Sequence, residues 1–177
     1  MRHGAGGFEL DTERGRVQAA RLVVATGGLS IPKIGATDFG YRLARQFGHA
    51  IIETRPALVP LTFDPATWSP YAPLSGVSLE VRIGTGEPRS RTEFVEDLLF
   101  THRGLSGPAV LQISTFWRAG TAIRIDLAPG QDLAAQLADA KRRSQRQLGN
   151  ELAEIIPKRL ADTWLAGAQD EIGRAHV

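Results

Sequence analysis

The residues of this chain best suited to chemistry follow a short apolar run near its amino terminus. The segment Leu22–Ala25 is continuously apolar and is followed directly by Thr26-Gly27-Gly28. Such a run predicts a central strand, buried on both faces, that ends in a tight turn. Glycines without side chains would let backbone N–H groups approach the phosphates of a dinucleotide at the end of a parallel sheet. An ordinary strand-to-loop transition explains the motif equally well, so the motif alone leaves both interpretations open.

Other polar residues offer weaker chemical signals. His102, beside Arg103, could move a proton near neutral pH, although a histidine at a strand end more often bonds a loop. Ser106 lies in Gly104-Leu105-Ser106-Gly107, which differs from the Gly-x-Ser-x-Gly nucleophile elbow, and is predicted to cap a helix. The sequence has no cysteine, and its four histidines do not have metal-ligand spacing. We therefore predict no metal site and assign no catalytic residue.

Composition restricts the classes of function. A chain of 177 residues with 42% hydrophobic and 23% charged residues is long and apolar enough to bury a core. The formal net charge of +2 predicts no nucleic-acid partner, and the basic stretch 141–146 is interpreted as a solvated helix face. No apolar run approaches the ~20 residues of a membrane helix, and no secretory signal is visible. We expect a cytoplasmic protein with a small-molecule substrate, no membrane partner and an open oligomeric state.

The amino-terminal third reads as strand, glycine turn and helix. An extended segment over 7–16 turns at Thr12–Gly15, while the glycine-rich 4–7 is predicted to be a loop. A helix capped by Asp38 is predicted to run through about Phe47. Prolines then become frequent, which places a domain boundary at 56–60.

The remainder of the chain predicts a small β domain followed by helices. One helix is expected to start near Ser106 and Pro108, and Pro157 should bend or split the last one. The predicted strands cover 77–83, 92–100 and 122–127, with a turn at 84–86, and the predicted final helices cover 132–147 and 151–167.

Three blocks of sequence resemble one bacterial flavoprotein family. They are 25–37 (ATGGLSIPKIGAT), 55–61 (RPALVPL) and 97–111 (DLLFTHRGLSGPAVL). In this order they are similar to segments of the NAD(P)/FAD-dependent oxidoreductases, also described as aminoacetone oxidase family FAD-binding enzymes. The resemblance covers about residues 8–165.

The resemblance implies a mixed α+β and α/β fold. It consists of a partial FAD-binding Rossmann-type (two-dinucleotide) domain and an inserted β-barrel-like domain with a helical portion. The implied cofactor is FAD, with NAD(P)H as a possible reductant, and the implied reaction is that of an oxidoreductase. The implied cofactor contacts are Ala25, Thr26, Gly27, Gly28, Gly35 and Thr37.

The family's opening strand and its Gly-x-Gly-x-x-Gly turn do not occur in this sequence. We therefore expect an internal fragment of a longer enzyme, inactive in isolation. Residues 1–58 would be a partial FAD-binding domain, 59–131 an inserted β-rich domain and 132–170 its helical portion. The last seven residues, 171–177, resemble the translation of a sequencing adapter, so we interpret them as an artefactual tail.

Two other interpretations remain open at this point. Residues 59–167 could be a non-catalytic β-plus-helix binding module, since fold alone does not determine function. The chain could also be an inactive truncation product. Against the module stands the ATGG turn of residues 25–28, which a free-standing binding domain has no reason to carry.

Overall fold

The computed structural model describes residues 1–143 and 147–174, with side chains described up to residue 167. The chain divides into two compact units, Met1–Arg55 and Pro56–Val177. Each unit combines antiparallel strands with helices, so the mixed α+β class is confirmed. None of the described helices is both long and apolar enough to cross a membrane.

The first unit begins with a three-stranded antiparallel sheet in the order β1-β2-β3. Its strands are β1 (Arg2–Gly4), β2 (Gly7–Thr12) and β3 (Gly15–Ala19). The predicted turn between Thr12 and Gly15 is confirmed, because these residues are paired across the hairpin. The Thr12 hydroxyl donates to the Gly15 carbonyl at 2.8 Å and so closes the turn.

The prediction of a loop at residues 4–7 is wrong in part, because Gly4 and Gly7 belong to strands. Gly4 pairs with Gly7, and the two residues between them turn the chain from β1 into β2. Gly7 has φ +103°, and a Cβ there would lie 2.9 Å from the Cα of Ala20. The hairpin therefore depends on glycine because a side chain would meet backbone at this position.

The prediction of a buried strand over Leu22–Ala25 is wrong for this chain. Residues 21–28 have no regular secondary structure, and the Val23 side chain is 85% exposed. A central strand needs hydrogen-bonded neighbours on both sides. The three strands of this unit pair with one another and leave no partner for the segment. An apolar β-branched run without neighbours stays irregular and solvated.

Helix α1 (Phe39–Gln46) confirms the predicted helix, and Gly48 follows its end with φ +79°. Asp38 occupies the N-cap position as predicted, but its carboxylate accepts no hydrogen bond from the first turn. Asp38 pairs instead with Arg42 one turn later, at 3.0 Å between Oδ1 and Nε. The Thr37 hydroxyl accepts the N–H of Phe39 at 3.4 Å, so the preceding threonine takes the local bond.

The second unit contains a five-stranded antiparallel sheet in the order β4-β7-β6-β5-β8. Its strands are β4 (Leu61–Thr62), β5 (Ser78–Thr85), β6 (Thr92–Thr101), β7 (Gly104–Ser106) and β8 (Ile123–Asp126). The predicted turn at 84–86 begins later than expected, because Gly84 and Thr85 continue β5 and pair with Glu93 and Thr92. The Thr85 hydroxyl also donates to the Ala122 carbonyl at 2.9 Å, which ties β5 to the start of β8.

Helix α3 (Pro108–Phe116) lies on one face of this sheet. Gly107, with φ +90°, occupies its N-cap position, so the prediction of Ser106 as the cap is wrong. Ser106 is the last residue of β7 and pairs with Leu99. A Cβ at Gly107 would lie 2.7 Å from the Asp97 carbonyl oxygen, and only glycine allows the chain to pass from β7 into α3 this close to β6.

The core lies between α3 and the sheet and continues into the final helices. A short helix, α2 (Pro65–Trp68), and a 3-10 turn at Ala72–Leu74 close one end of it. The later helices are α4 (Leu133–Arg143), α5 (Leu148–Leu152) and α6 (Lys158–Arg174). Pro157 separates α5 from α6, so the predicted split is confirmed. The buried cluster includes Leu74, Val81, Ile83, Leu98, Val110, Ile113, Leu152, Ile156 and Leu160. The 171–177 tail lies partly in α6, and its residues 175–177 lie outside the described residues.

Candidate functional site

The glycine turn at residues 25–28 lies against the first turn of α1. A Cβ on Gly40 would come within 3.2 Å of the Thr26 hydroxyl oxygen and 3.6 Å of the Val24 Cγ1. The missing side chain at Gly40 therefore lets the helix approach the turn closely. Sequence reasoning did not single out Gly40, although a glycine in the first turn of a helix is a signal of close approach.

The Cβ positions of the two glycines in the turn meet mostly open space. Gly27 has φ +69°, and no atom lies within 4 Å of the Cβ position at this residue. At Gly28 the nearest atom is the Tyr41 hydroxyl oxygen, at 3.9 Å. Exposed backbone in the left-handed region, free of side-chain cover, is suited to close contact with a cofactor. The residues present therefore fit one wall of a dinucleotide site.

The two remaining predicted cofactor residues have local structural roles in the connection to α1. Gly35 has φ +90° and ends the 3-10 turn Pro32–Ile34, with its N–H donating to the Pro32 carbonyl at 3.0 Å. The Thr37 hydroxyl accepts from Phe39, as described above. The geometry assigns these residues to the shape of the connection, and their contact with a cofactor stays a prediction.

A cavity of about 360 Å³ lies inside the first unit, between β2, α1 and the irregular segment before the turn. Most of its lining is apolar and includes Phe8, Leu22, Val24, Leu43 and Phe47. Leu22 and Val24 therefore face an unfilled apolar space. This arrangement agrees with the absence of neighbouring strands described above.

The strongest electrostatic cluster of the first unit lies on the hairpin of β2 and β3. The Arg16 guanidinium, hydrogen-bonded to the Asp11 carboxylate at 3.0 Å, lowers the pKa of Asp11 below its usual value, and Arg2 adds to this effect. The same partnership raises the pKa of Arg16. All three side chains are exposed, so this cluster stabilises the hairpin and lies outside the cofactor wall.

The lowered pKa of Asp11 predicts an acid-dependent hairpin. Because the folded-state pKa lies below the unfolded value, the stabilisation is complete above the unfolded pKa and is lost as pH falls through the folded pKa. We expect Asp11→Asn to remove this acid transition, as measured by NMR titration of the hairpin amides. Glu13→Gln, in the turn of the same hairpin, is the control and should keep the transition. An unchanged titration in Asp11→Asn would contradict the assignment.

In the second unit, the turn between β6 and β7 carries His102 and Arg103. The turn is closed by Thr101, whose hydroxyl donates to the Gly104 carbonyl at 2.9 Å and accepts the Arg103 N–H at 3.3 Å. Thr101 therefore makes the loop hydrogen bonds that the structural interpretation assigned to His102. Both turn side chains are exposed and make no hydrogen bond or ion pair with the residues that the structure describes.

A cluster of aromatic rings lies beside this turn. Phe63 stacks on Trp68 with 4.8 Å between ring centroids and 9° between planes. The Trp68 Nε1 donates to the Thr101 carbonyl at 2.9 Å, and the Phe63 N–H donates to the Arg103 carbonyl at 3.2 Å. These two bonds hold the rings next to the β6–β7 turn. Sequence reasoning missed this arrangement because the residues lie far apart along the chain.

No metal centre emerges from the geometry of residues 1–143 and 147–174. Within these ranges, no group of three or more His, Asp or Glu side chains is placed to hold a metal ion.

The second unit consists of a five-stranded antiparallel sheet with α3 on one face, followed by three helices. Residues 55–175 match the model of the family described as HI0933-like protein barrel and H2TH domain. The match covers more than half of the chain, and the protein belongs to this HI0933-like family.

Curated relatives of the chain are named as enzymes. A protein of Haemophilus influenzae named ribosomal RNA dihydrouridine synthase is 43% identical over 93% of this chain and 41% of its own length. A protein of the same name from Escherichia coli is 46% identical over 88% of this chain and 38% of its own length. The 3-dehydro-bile acid delta(4,6)-reductase of Clostridium scindens is 29% identical over 79% of this chain and 35% of its length. The chain therefore spans well under half of these relatives.

Proposed function

We propose that the full-length protein is an FAD-dependent reductase that adds hydrogen to a carbon–carbon double bond conjugated to a carbonyl group. The proposed substrate is a uracil base of ribosomal RNA. The observation that supports this most strongly is the identity of 43% and 46% with two proteins named ribosomal RNA dihydrouridine synthase. Family membership and the third relative, named as a reductase, support the broader class.

The names of the relatives describe related chemistry. A dihydrouridine forms when two hydrogens add across the C5–C6 double bond of uridine, which is conjugated to the C4 carbonyl. A delta(4,6)-reductase acting on a 3-dehydro substrate also acts on unsaturation beside a carbonyl. Both reactions need a hydride at one carbon and a proton at its neighbour. Bound flavin, once reduced by NAD(P)H, would supply the hydride.

The residues of the first unit that would hold FAD are those of the glycine turn. Ala25 and Thr26 are exposed, Gly27 has open space at its Cβ position, Gly28 meets only the Tyr41 hydroxyl there, and the close approach of Gly40 places Thr26 against α1. Gly35 and Thr37 would support this wall through the connection that they shape. These residues bind and orient the cofactor in the proposal, and none of them is assigned a proton-transfer role.

The proposed RNA substrate differs from the expectation drawn from charge. A formal charge of +2 predicts a small-molecule substrate and no nucleic-acid partner. Net charge averages over the whole chain, whereas nucleic-acid contact depends on where unpaired cations lie. A small α,β-unsaturated ketone is the alternative substrate, and the names of the two more similar relatives favour RNA.

The experiment that tests the proposal uses the full-length protein, with the present chain beside it. The absorbance spectrum reports bound flavin, and nucleoside mass spectrometry reports dihydrouridine formed in unmodified ribosomal RNA with NADPH or NADH. We expect a yellow full-length protein that forms dihydrouridine and a colourless, inactive fragment. A colourless full-length protein that takes up no added FAD would remove the oxidoreductase assignment and favour the binding module. A yellow protein that reduces an unsaturated ketone but no RNA would transfer the proposal to small molecules.

Because space is open at the Gly27 Cβ position, a single methyl group added there is predicted to weaken FAD binding strongly. In the full-length protein, Gly27→Ala should lower FAD affinity by about tenfold or more, since the new Cβ would occupy the space of the cofactor. Flavin absorbance after dialysis measures the effect. Gly48→Ala is the matched control, because Gly48 also has positive φ and no atom within 4 Å of its Cβ position. Both variants carry a similar backbone strain of about 1 kcal/mol, so equal flavin content in the two would contradict the cofactor wall.

A further inference from the structure

We propose that Phe63, His102 and Arg103 form a nucleotide-binding platform that holds single-stranded RNA. In this arrangement a base stacks on the Phe63 ring while the Arg103 guanidinium contacts a neighbouring phosphate. The inference rests on the proposed function, since it identifies where the RNA of that reaction is bound. It assigns a role to an aromatic residue and a turn that the proposed cofactor chemistry does not use.

The Phe63 ring is placed so that a base can stack on it. Trp68 stacks on one face of the ring at 4.8 Å between centroids, and Phe63 as a residue is 42% exposed. Trp68 itself is buried and is fixed by its Nε1 bond to the Thr101 carbonyl. A base can stack on such a ring whatever its identity, because every base has a π-face.

An unpaired arginine lies beside this ring. The Phe63 N–H bond to the Arg103 carbonyl places the two residues side by side, and His102 precedes Arg103 in the same turn. Within the described residues neither the Arg103 nor the His102 side chain has an acidic partner. Asp64, the acid next to Phe63, already accepts from the N–H groups of Ala66 and Thr67 at 2.9 and 3.4 Å. An arginine left unpaired in this way is suited to bind phosphate.

The platform is rigid before any ligand binds. The Thr101 hydroxyl closes the turn onto Gly104, and the β4–β7 pairing of Thr62 with Gly104 holds Phe63 next to it. Because these bonds already fix the backbone, binding would order only the Arg103 and His102 side chains. Local aromatic and cationic surface can therefore bind RNA although the net charge of the chain is small.

The test compares two platform substitutions with two control substitutions in the full-length protein, and Phe63→Tyr serves as a rescue variant. Phe63→Leu removes the π-face and keeps an apolar side chain, while Arg103→Gln removes the charge. Phe116→Leu is the control for the first, because Phe116 is also half exposed and in ring contact with another phenylalanine. Arg124→Gln is the control for the second, because Arg124 is an exposed strand residue with no ion pair among the described residues.

The probe is a short fluorescent single-stranded oligouridylate, with unmodified ribosomal RNA as the kinetic substrate. We expect Phe63→Leu to weaken oligouridylate binding about tenfold. Arg103→Gln should weaken it several-fold and reduce the salt dependence by about one phosphate contact. Both should raise KM for RNA with kcat and flavin absorbance unchanged, and Phe63→Tyr should restore binding. The two control variants should bind as the unsubstituted protein does.

The outcomes separate the platform from the proposed function. If the unsubstituted protein forms dihydrouridine and both Phe63→Leu and Arg103→Gln keep its affinity and KM, the platform is wrong and the function stands. If no dihydrouridine forms, the function fails, and the oligouridylate measurement alone decides the platform. Loss of binding in Phe63→Leu that Phe63→Tyr does not restore would indicate a packing effect and would also overturn the stacking role.

Discussion

Gly104→Ala is expected to separate β4 from β7 and to destabilise the second unit by about 3 kcal/mol or more. Gly104 has φ +152°, and a Cβ built on it would overlap the Leu61 carbonyl oxygen. The Cα of Thr62 would also lie only 3.0 Å away. All of these atoms belong to backbone, which cannot turn aside as a flexible side chain can. The β4–β7 pairing of Leu61 with Leu105 must therefore open to admit the methyl group.

Urea unfolding followed by circular dichroism measures this effect. Gly120→Ala is the matched control, since Gly120 has φ +86° and no atom within 4 Å of its Cβ position. The control should lose only about 1 kcal/mol, the usual effect of alanine at a left-handed glycine. If Gly104→Ala were as stable as Gly120→Ala, β4 would not lie against Gly104 as the structure shows.

Strands β5, β6 and β8 and helix α3 could be predicted from sequence because their signals are local, whereas β4, β7 and α2 were not predicted. Alternating apolar residues in β5 and β6 indicate one buried face, and a proline at 157 ends one helix and starts another. The errors were also local. Gly84 continues β5 although glycine usually marks a turn, since pairing with Glu93 outweighs its weak strand preference.

The segment Leu22–Ala25 shows what a local pattern cannot determine. Its composition is that of a strand buried on both faces, but burial requires neighbouring strands that the pattern does not specify. In this chain β1, β2 and β3 pair among themselves, and Val23 stays exposed. The composition of the segment therefore did not determine its structure, because no strand of the first unit pairs with it.

The two candidate sites differ in how much of each could be predicted from the sequence. The glycine turn is contiguous, so residue types alone identified Ala25–Gly28, and a family resemblance linked it to FAD. The platform joins Phe63 to Arg103 across about forty intervening residues, and only the β4–β7 pairing brings them together. A contact of this kind depends on strand register, which no local pattern of either segment contains.

Trp68→Ala is expected to cost the second unit about 3–5 kcal/mol, the usual range for emptying a buried aromatic site. Trp68 is 6% exposed and packs against Phe63, Tyr71 and Phe100. Trp68→Phe should cost less, because it keeps an aromatic ring in the site. Its remaining cost comes from the loss of the Nε1 bond to the Thr101 carbonyl. A carbonyl left without its partner costs about 1–3 kcal/mol.

The same substitutions test whether RNA binding by the platform depends on Trp68. Thermal melts measure the stability of each variant, and oligouridylate binding measures the platform. Trp164→Ala is the control, because Trp164 is 45% exposed and its loss should change stability far less. Trp68→Phe should fold and still support the ring of Phe63, so binding should remain within a few-fold of normal. Trp68→Ala, measured at a temperature where it stays folded, should lose binding because Phe63 no longer has a ring behind it. Full binding in that variant would mean that Phe63 holds its position without Trp68, so the stacked pair would not be the origin of the rigid platform.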